Sequence, residues 1–516
     1  MQKIAGVLIP LFSLRASSDF GIGEILHLPA MVDFVLAMGH SAIQLLPLGE
    51  TSIAEASPYS AMSAFSIDPL FISGAGLRGV SGAIRNSRKI VGIAARFVPR
   101  DRVRSAKSPL LELAWSRFKD RGARSHREGF EAFQSEHRGW LQDYSLFRAL
   151  KERFDWRSWE EWPEAIRRRE PEALFGARAA MADQVGMYSY FQFLAFRQWL
   201  EARVYAEERG VLLGGDLAFS PARDSADVWA NQHIFRLDRF VGAPPDAFNA
   251  RGQRWGLPMP DWIKMREDNF AWWRMRIRHS AMLYDLIRLD HVVGVFRTYS
   301  FPADPAAAGE FFPADENAQH VQGEAFLKMV LEEVGASRLI AEDLGTIPPF
   351  VRQSLTRNNV PGFKVLRWEK QNWDTPQEHY VPPQRYPELA VATTGTHDTT
   401  TVLQWWRDTS LKERRQLVVG LALDGQVNPR LRYLNLQSLD AILAALYRAP
   451  SEFVLTPIQD LFGWTARINT PGTVTDRNWH YRLPLTFEKL RASRAITSQQ
   501  DQLKKIATIS DRLPRA

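Results

Sequence analysis

The sequence predicts an α/β protein built as a closed (β/α)8 (TIM) barrel. Three observations carry that reading. Eight short apolar, β-rich runs alternate with helical segments along the 516 residues, which is the order of a parallel α/β fold. Eight is also the number of strands that a closed barrel requires. Several runs end in a charged or polar residue followed by a loop, at the end of the strand where a barrel builds its site. On the count alone, a doubly wound sheet with extra strands reads similarly.

The first two runs are "AGVLIPL" (5 to 11) and "SAIQLLPL" (41 to 48). Residues 49 to 210 separate them from the third, "VLLGGDLAF" (211 to 219), far more chain than one crossover helix uses. That stretch is helix-rich from about Ser108 to Glu208 and is expected to be an inserted, mostly helical subdomain. The next connection, 220 to 284, holds "VGAPPDAFNARGQRWGLPMPDW", whose Gly, Pro and aromatic content predicts a structured loop over a site. The fourth run is "LIRLDH" (286 to 291), and the Pro/Ala-rich segment 301 to 320 after it is expected to be mobile. "RLIAEDLG" (338 to 345), "GFKVLRWE" (362 to 369), "LAVATTGTHD" (389 to 398) and "EFVLTPIQD" (452 to 460) complete the set. From Leu485 the chain reads as a closing amphipathic helix with a short frayed end, and no separate C-terminal β-domain is expected. Residues 1 to 516 thus read as one catalytic barrel, with helical and loop insertions at the C-terminal face of its strands.

Composition narrows the function classes. No apolar run reaches the ~18 residues of a membrane span, and the apolar N-terminal stretch is too short for a secretory signal, so a cytoplasmic protein is expected. Cysteine is absent, which excludes disulfides and thiolate metal sites. The net charge of +7 is modest for this length, and its densest part, Arg96 to Glu128, mixes acids and apolar residues at helical spacing. That favours a solvated helical face over a phosphate-binding stripe, so neither nucleic acid nor membrane is expected as a partner. The 17 Trp and 30 Phe, many of them beside Gly, Pro and Asp, suit exposed platforms for flat apolar faces such as those of sugars, although most single Trp residues are core.

Four runs end in acids: Asp216, Asp290, Glu342 and Asp398. Taken singly, each could be an N-cap or half of an ion pair. Together at a barrel mouth they would repel one another, and that points to function. No metal is expected, because Asp290-His291 and His397-Asp398 are sequence neighbours that an extended strand would point to opposite faces. Nor is a cofactor: "GAGLRG" (74 to 79) is a lone match to the dinucleotide pattern, without the later acid it needs. Retaining glycoside chemistry fits the acids better, since it needs two carboxyls about 5 Å apart, which neighbouring strands deliver.

At these residues the chain resembles the 4-alpha-glucanotransferases, or amylomaltases, of glycoside hydrolase family 77. The matching segments run nearly end to end: "AGVLIPLFSLRASSDFGIGE", "SPYSAMSAFSIDPLFI", "GAPPDAFNARGQRWGLP", "RLDH", "AEDLG", "PGFKVLRWE", "GTHD", "LTPIQDLFG" and "ARINTPGT" among them. Their order and spacing make the resemblance specific. It implies a (β/α)8 barrel that transfers α-1,4-glucan segments between maltooligosaccharides, with a retaining α-glucan hydrolase and a silent glucan-binding protein as alternatives.

The resemblance implies Asp290 as nucleophile, Glu342 as acid/base and Asp398 as transition-state stabiliser with His397 beside it. Arg288 would keep Asp290 ionised, and Asp216 would contact a sugar subsite or orient its neighbours. Tyr59 resembles the ring beneath the sugar, Gln253 and Trp255 lie on what looks like the loop over the acceptor side, and Asn469 resembles a hydroxyl-binding asparagine. The plainer alternative for Tyr59 and Trp255 is a core ring, and for His291 a structural partner of the rim. Three departures touch subsite contacts and loop shape. Val292-Val293-Gly294 stands where the family commonly reads F-R-G, "GLPMPDW" follows Trp255, and no asparagine follows Asp398.

Overall fold

The computed structural model describes residues 3–514 apart from 78–79, 81, 85–86, 89–96, 246–250, 305, 337, 374 and 376. Its eight parallel strands are β1 (Ile4–Leu8), β2 (Ala42–Gln44), β3 (Leu212–Leu217), β4 (Leu286–Leu289), β5 (Arg338–Ala341), β6 (Gly362–Val365), β7 (Ala390–Thr393) and β8 (Phe453–Pro457). They close into a barrel in chain order, with β8 pairing back onto β1, so the doubly wound alternative is excluded. Seven strands fall inside their apolar runs, and β1 starts one residue before its own, at Ile4. The runs overshoot at their C-terminal ends because the polar residues there have left the ladder for turns above the barrel.

Period-two alternation sorts the barrel residues. Ile4, Leu286, Ile340, Phe363, Val391 and Phe453 point inward and fill the lower barrel with a separate apolar cluster. Two residues further along the same face, the chain places Arg288 above Leu286 and Glu342 above Ile340. Asp216 on β3 is the register partner of Arg288 on β4. Gly214 makes room beneath Asp216: a Cβ there would stand 2.5 Å from the Gln44 amide oxygen. The mouth is therefore ionic because it sits directly on a dry floor.

Between β2 and β3 the chain forms the helices Arg100–Arg121, Arg124–Glu136, Arg138–Arg153, Pro171–Ala180 and Ala182–Glu207. The last of these is apolar around most of its circumference and lies buried. Its Trp199, fully enclosed, donates Nε1–H to the Leu283 carbonyl at 3.0 Å, and burying such a ring stabilises by about 2–3 kcal/mol. Four of the basic residues in this region are internal. Lys107 bonds Glu24 at 2.7 Å, Arg100 faces Asp68 at 3.9 Å, Arg148 bonds Glu50 at 2.8 Å and Lys151 bonds Asp224 at 2.6 Å.

Three expectations are corrected. The connection after β3 is more than loop, because Phe235–Ala243 and Gln253–Pro260 pair as antiparallel strands, joined by Thr298–Pro302 and Glu310–Phe312 in a four-stranded sheet. For the same reason the segment 301 to 320 is no mobile linker, since its Pro302 and Glu310–Phe312 lie in that sheet. Gly74–Gly76, in the stretch already set aside as a dinucleotide site, is a 3-10 turn, and Arg78 and Gly79 lie outside the described residues. The described part of the C-terminal segment is not frayed either: after the helix Arg494–Ile509, Arg512 is fully buried and donates to the carbonyls of Ala449, Ser451 and Tyr447. The sixth crossover differs from the ideal, with a two-stranded ribbon and a 3-10 turn, Pro383–Arg385, between β6 and β7. Among the described residues no helix is long and apolar enough to cross a membrane.

Candidate active site

Arg288 is the hub of the mouth. Its Nη1–H groups meet both oxygens of Asp216 at 2.6 and 2.7 Å and Asp290 Oδ1 at 3.1 Å, and Nη2 stands 3.2 Å from Glu342 Oε2. One guanidinium thus bridges three carboxylates on adjacent strands. Exposure separates them: the side chains of Arg288 and Asp216 are 3 % and 1 % accessible, whereas Asp290, Glu342 and Asp398 reach 20 %, 22 % and 40 %. The structure places Arg288 and Asp216 behind the three more exposed acids and outside the cavity lining. Tyr59 also donates its hydroxyl to Asp216 there, at 2.7 Å.

The chain turns sharply after each acid-bearing strand. His291 adopts a left-handed φ of 47°, which aims its N–H at Glu342 Oε2 at 2.8 Å. Phe219 N–H donates to Asp290 Oδ2 at 3.4 Å. His397 and Asp398 also sit in a turn, four and five residues past β7, and there the opposite-faces argument fails: His397 Nε2 lies 3.3 Å from Asp398 Oδ2. Asn469 donates Nδ2–H to Asp398 Oδ1 at 2.6 Å, and Arg467 donates to the Asp398 carbonyl at 2.6 Å. Thr399, where an asparagine was expected, closes this turn locally by accepting the Thr396 N–H and donating to the Thr396 carbonyl. Val292 and Val293, which replace the aromatic and the arginine, are buried.

Electrostatics follow from this packing. Burial pushes the Asp290 carboxyl up to about 8, against the pull of Arg288 and with the help of the Glu342 and Asp216 charges. Arg288 thus favours the ionised form of Asp290, against burial and the charges of two neighbouring acids. Burial also acts to raise Glu342, but Arg288 and the His291 N–H outweigh it and hold Glu342 below its ordinary value. Asp398 is lowered to about 2: burial works against this, but the His397 contact and the Asn469 bond outweigh it. His397 is raised, the Asp398 carboxylate overcoming burial. Buried Arg276, with Asp227, Asp290 and Asp216 in its field, is pulled down to about 10, chiefly by burial. Among the described residues no group of three or more His, Asp or Glu is arranged to hold a metal ion.

Asp290, Glu342 and Asp398 open into a cavity of about 1070 Å³. Tyr59, Gln253, Trp255, His291, His397 and Asn469 line it, so Tyr59 and Trp255 are wall rings rather than core. Tyr59 stacks on His397 at 5.2 Å, and Trp255 sets its ring edge-to-face on His291 at 4.8 Å. Sequence reasoning missed Trp479, which lines the cavity in a left-handed conformation (φ 63°) and backs both Tyr59 and His397 at 5.7 Å. Nothing in "DRNWHYR" announced it.

Comparison with known proteins agrees with this geometry. The 4-alpha-glucanotransferase family profile matches residues 9–486. The chain belongs to the 4-alpha-glucanotransferase family. A 4-alpha-glucanotransferase of Chlamydia pneumoniae is 32% identical over 504 residues, covering 94% of this chain and 92% of the relative. One of Streptococcus pneumoniae is 33% identical over 500 residues, covering 93% of each. Among solved structures, the amylomaltase of Streptococcus agalactiae in complex with acarbose superposes with a TM-score of 0.85 at 27% identity, over 99% of this chain and 100% of that one. This 4-alpha-glucanotransferase family member is a (β/α)8 barrel throughout the comparison.

Proposed function

We propose that this chain is a 4-alpha-glucanotransferase that moves α-1,4-glucan segments between maltooligosaccharides, acting as both donor and acceptor, through a covalent glucosyl-enzyme on Asp290. The observation that carries the reading is the single buried guanidinium joining Asp290 and Glu342 at the floor of a ring-lined cleft. Sharing one guanidinium supports the reading, because a retaining mechanism uses two carboxyls close together. In the first step the Asp290 oxygen bonds the anomeric carbon as the glycosidic bond breaks, and Glu342 gives its proton to the departing 4-oxygen. In the second, an acceptor 4-hydroxyl attacks the same carbon, releases Asp290 and returns its proton to Glu342. Asp398, kept ionised by His397 and Asn469, supports the positive charge that develops on the ring.

The two carboxyls titrate as a pair. In the empty site burial raises Asp290, while Arg288 and the His291 N–H hold Glu342 low; the reaction needs the pair's proton on Glu342, beside the departing oxygen. Transfer prevails over hydrolysis when the acceptor is well seated and water is not. No cofactor enters these steps, and we place the reaction in the cytoplasm.

Purified protein incubated with maltotriose should yield glucose together with maltopentaose and longer chains, and Asp290→Asn should yield none. Glucose and maltose without longer products would instead establish the hydrolase, and binding without turnover the silent glucan-binding protein.

A further inference from the structure

The turn that carries His397 and Asp398 runs from Thr394, just past β7, to Thr401, which caps the helix Val402–Asp408. Its sequence, "TGTHDTTT", holds no apolar side chain that could anchor it in a core. Two buried charged side chains from the neighbouring strands hold it instead. Asp460, on the short helix Ile458–Phe462 that follows β8, accepts the Thr394 hydroxyl at 2.6 Å with Oδ2 and the Val402 N–H at 2.7 Å with Oδ1. Arg367, two residues past β6, donates Nε–H to the Thr394 carbonyl at 3.2 Å and Nη1–H to the Thr400 hydroxyl at 2.9 Å. The two residues are 1 % and 7 % exposed, and neither lines the cavity. Close approach from this side is built in: a Cβ on Gly395 would meet Thr399 Oγ1 at 2.2 Å and Arg367 Nη2 at 3.3 Å.

Asp460 is a costly way to tie down a loop. It makes no ion pair among the described residues, and burial raises its carboxyl. What its two oxygens achieve, and a single bond would not, is to fix both ends of one turn. We propose that Asp460 is a positioning residue of the transfer site: by clamping Thr394 and Val402 it sets where Asp398 stands relative to Asp290 and Glu342. The inference rests on the transferase reading above and adds a residue to it.

The test compares kcat and KM for transfer from a glycosyl fluoride donor to maltose, with Asp460→Ala, Asp460→Asn and Thr394→Val each made in the wild-type and the Asp398→Asn background. In the wild-type background Asp460→Ala should lower kcat by about 10-fold to 100-fold, with KM moved by less than about twofold, the signature of a displaced catalytic group. Asp460→Asn should stay close to wild type, because its amide accepts from Val402 N–H and donates to the Thr394 hydroxyl oxygen. Thr394→Val deletes one bond and should fall between the two, so it carries the test if Asp460→Ala does not fold. In the Asp398→Asn background neither Asp460→Ala nor Thr394→Val should cost anything more, since the group they place has lost its charge. An equal fractional loss in both backgrounds, or an Asp460→Asn as damaged as Asp460→Ala, overturns the proposal. Failure of the wild type to transfer, or an active Asp290→Asn, would instead condemn the transferase reading itself.

Discussion

Glu342 is asked to lend a proton, yet the empty site grips it as an anion through His291 N–H and Arg288. Replacing it with glutamine keeps the shape and removes one negative charge beside Asp290. Two consequences follow. Transfer from a natural glucan, whose leaving oxygen needs a proton, should fall about 10²- to 10⁴-fold. A glycosyl fluoride needs no such proton, so the first step should persist, with its acid limb moved to lower pH. The sign follows from charge: Glu342 raises Asp290, so an Asp290 without that neighbour ionises sooner as pH rises. Pre-steady-state glycosylation rates across pH check this, and a limb that stayed in place or rose would refute it. At this scale the sequence was legible where an acid closed an apolar run, as at Asp216, Asp290, Glu342 and Asp398. The same mark stands at Asp460, the last residue of "EFVLTPIQD", and went unread because that acid faces a turn rather than the cavity. Depth was not legible at all: no pattern in "RLDH" says that Arg288 lies sealed beneath the floor while Asp290 does not.

Elements were legible in proportion to their regularity. The eight barrel strands are short and apolar, and each emerged within one residue of its run. The four-stranded sheet did not emerge, because "GQRWGLPMP" and "RLDRFVGA" carry Gly, Pro and charges where a strand pattern would alternate. That sheet is what brings Trp255 to the cleft, on the strand Gln253–Pro260, with its ring against His291. Through His291 the contact extends to Glu342, so this edge of the cleft is tied to the acid/base group. Trp255→Ala should open that edge to water while leaving the three carboxyls in place. The expected result is a transfer-to-hydrolysis ratio lower by about tenfold, with total donor consumption much less affected. Product ratios from maltotriose measure it, and an unchanged ratio would show that another wall excludes water.

The whole molecule closes where its two ends meet. β1 and β8, the first and last strands in chain order, complete the barrel by pairing with each other. Arg512 stitches them. Its guanidinium donates to the carbonyls of Ala449 at 2.6 Å, Ser451 at 2.8 Å, Tyr447 at 2.9 Å and Ile4 at 3.3 Å, so the last turn of the chain reaches the first strand and the approach to the last one. Arg512 was not legible as an anchor, because sequence does not show that carbonyls at the end of the helix Leu436–Tyr447 and in the turn before β8 lie within one guanidinium's reach. Arg512→Ala would leave those carbonyls buried without donors, a loss of about 3 kcal/mol even after allowing for water entry. The residue sits at the N-terminal face of the strands, away from Asp290, Glu342 and Asp398, and conservation of geometry at the mouth does not depend on it. The expected outcome is therefore a lowered melting temperature with kcat at 25 °C unchanged, and an intermediate melting point for Arg512→Lys, which keeps the charge but loses the fork. Calorimetry alongside maltotriose turnover decides it. A fall in kcat in step with stability would mean that the closure of the barrel and the alignment of its carboxyls are one cooperative property rather than two.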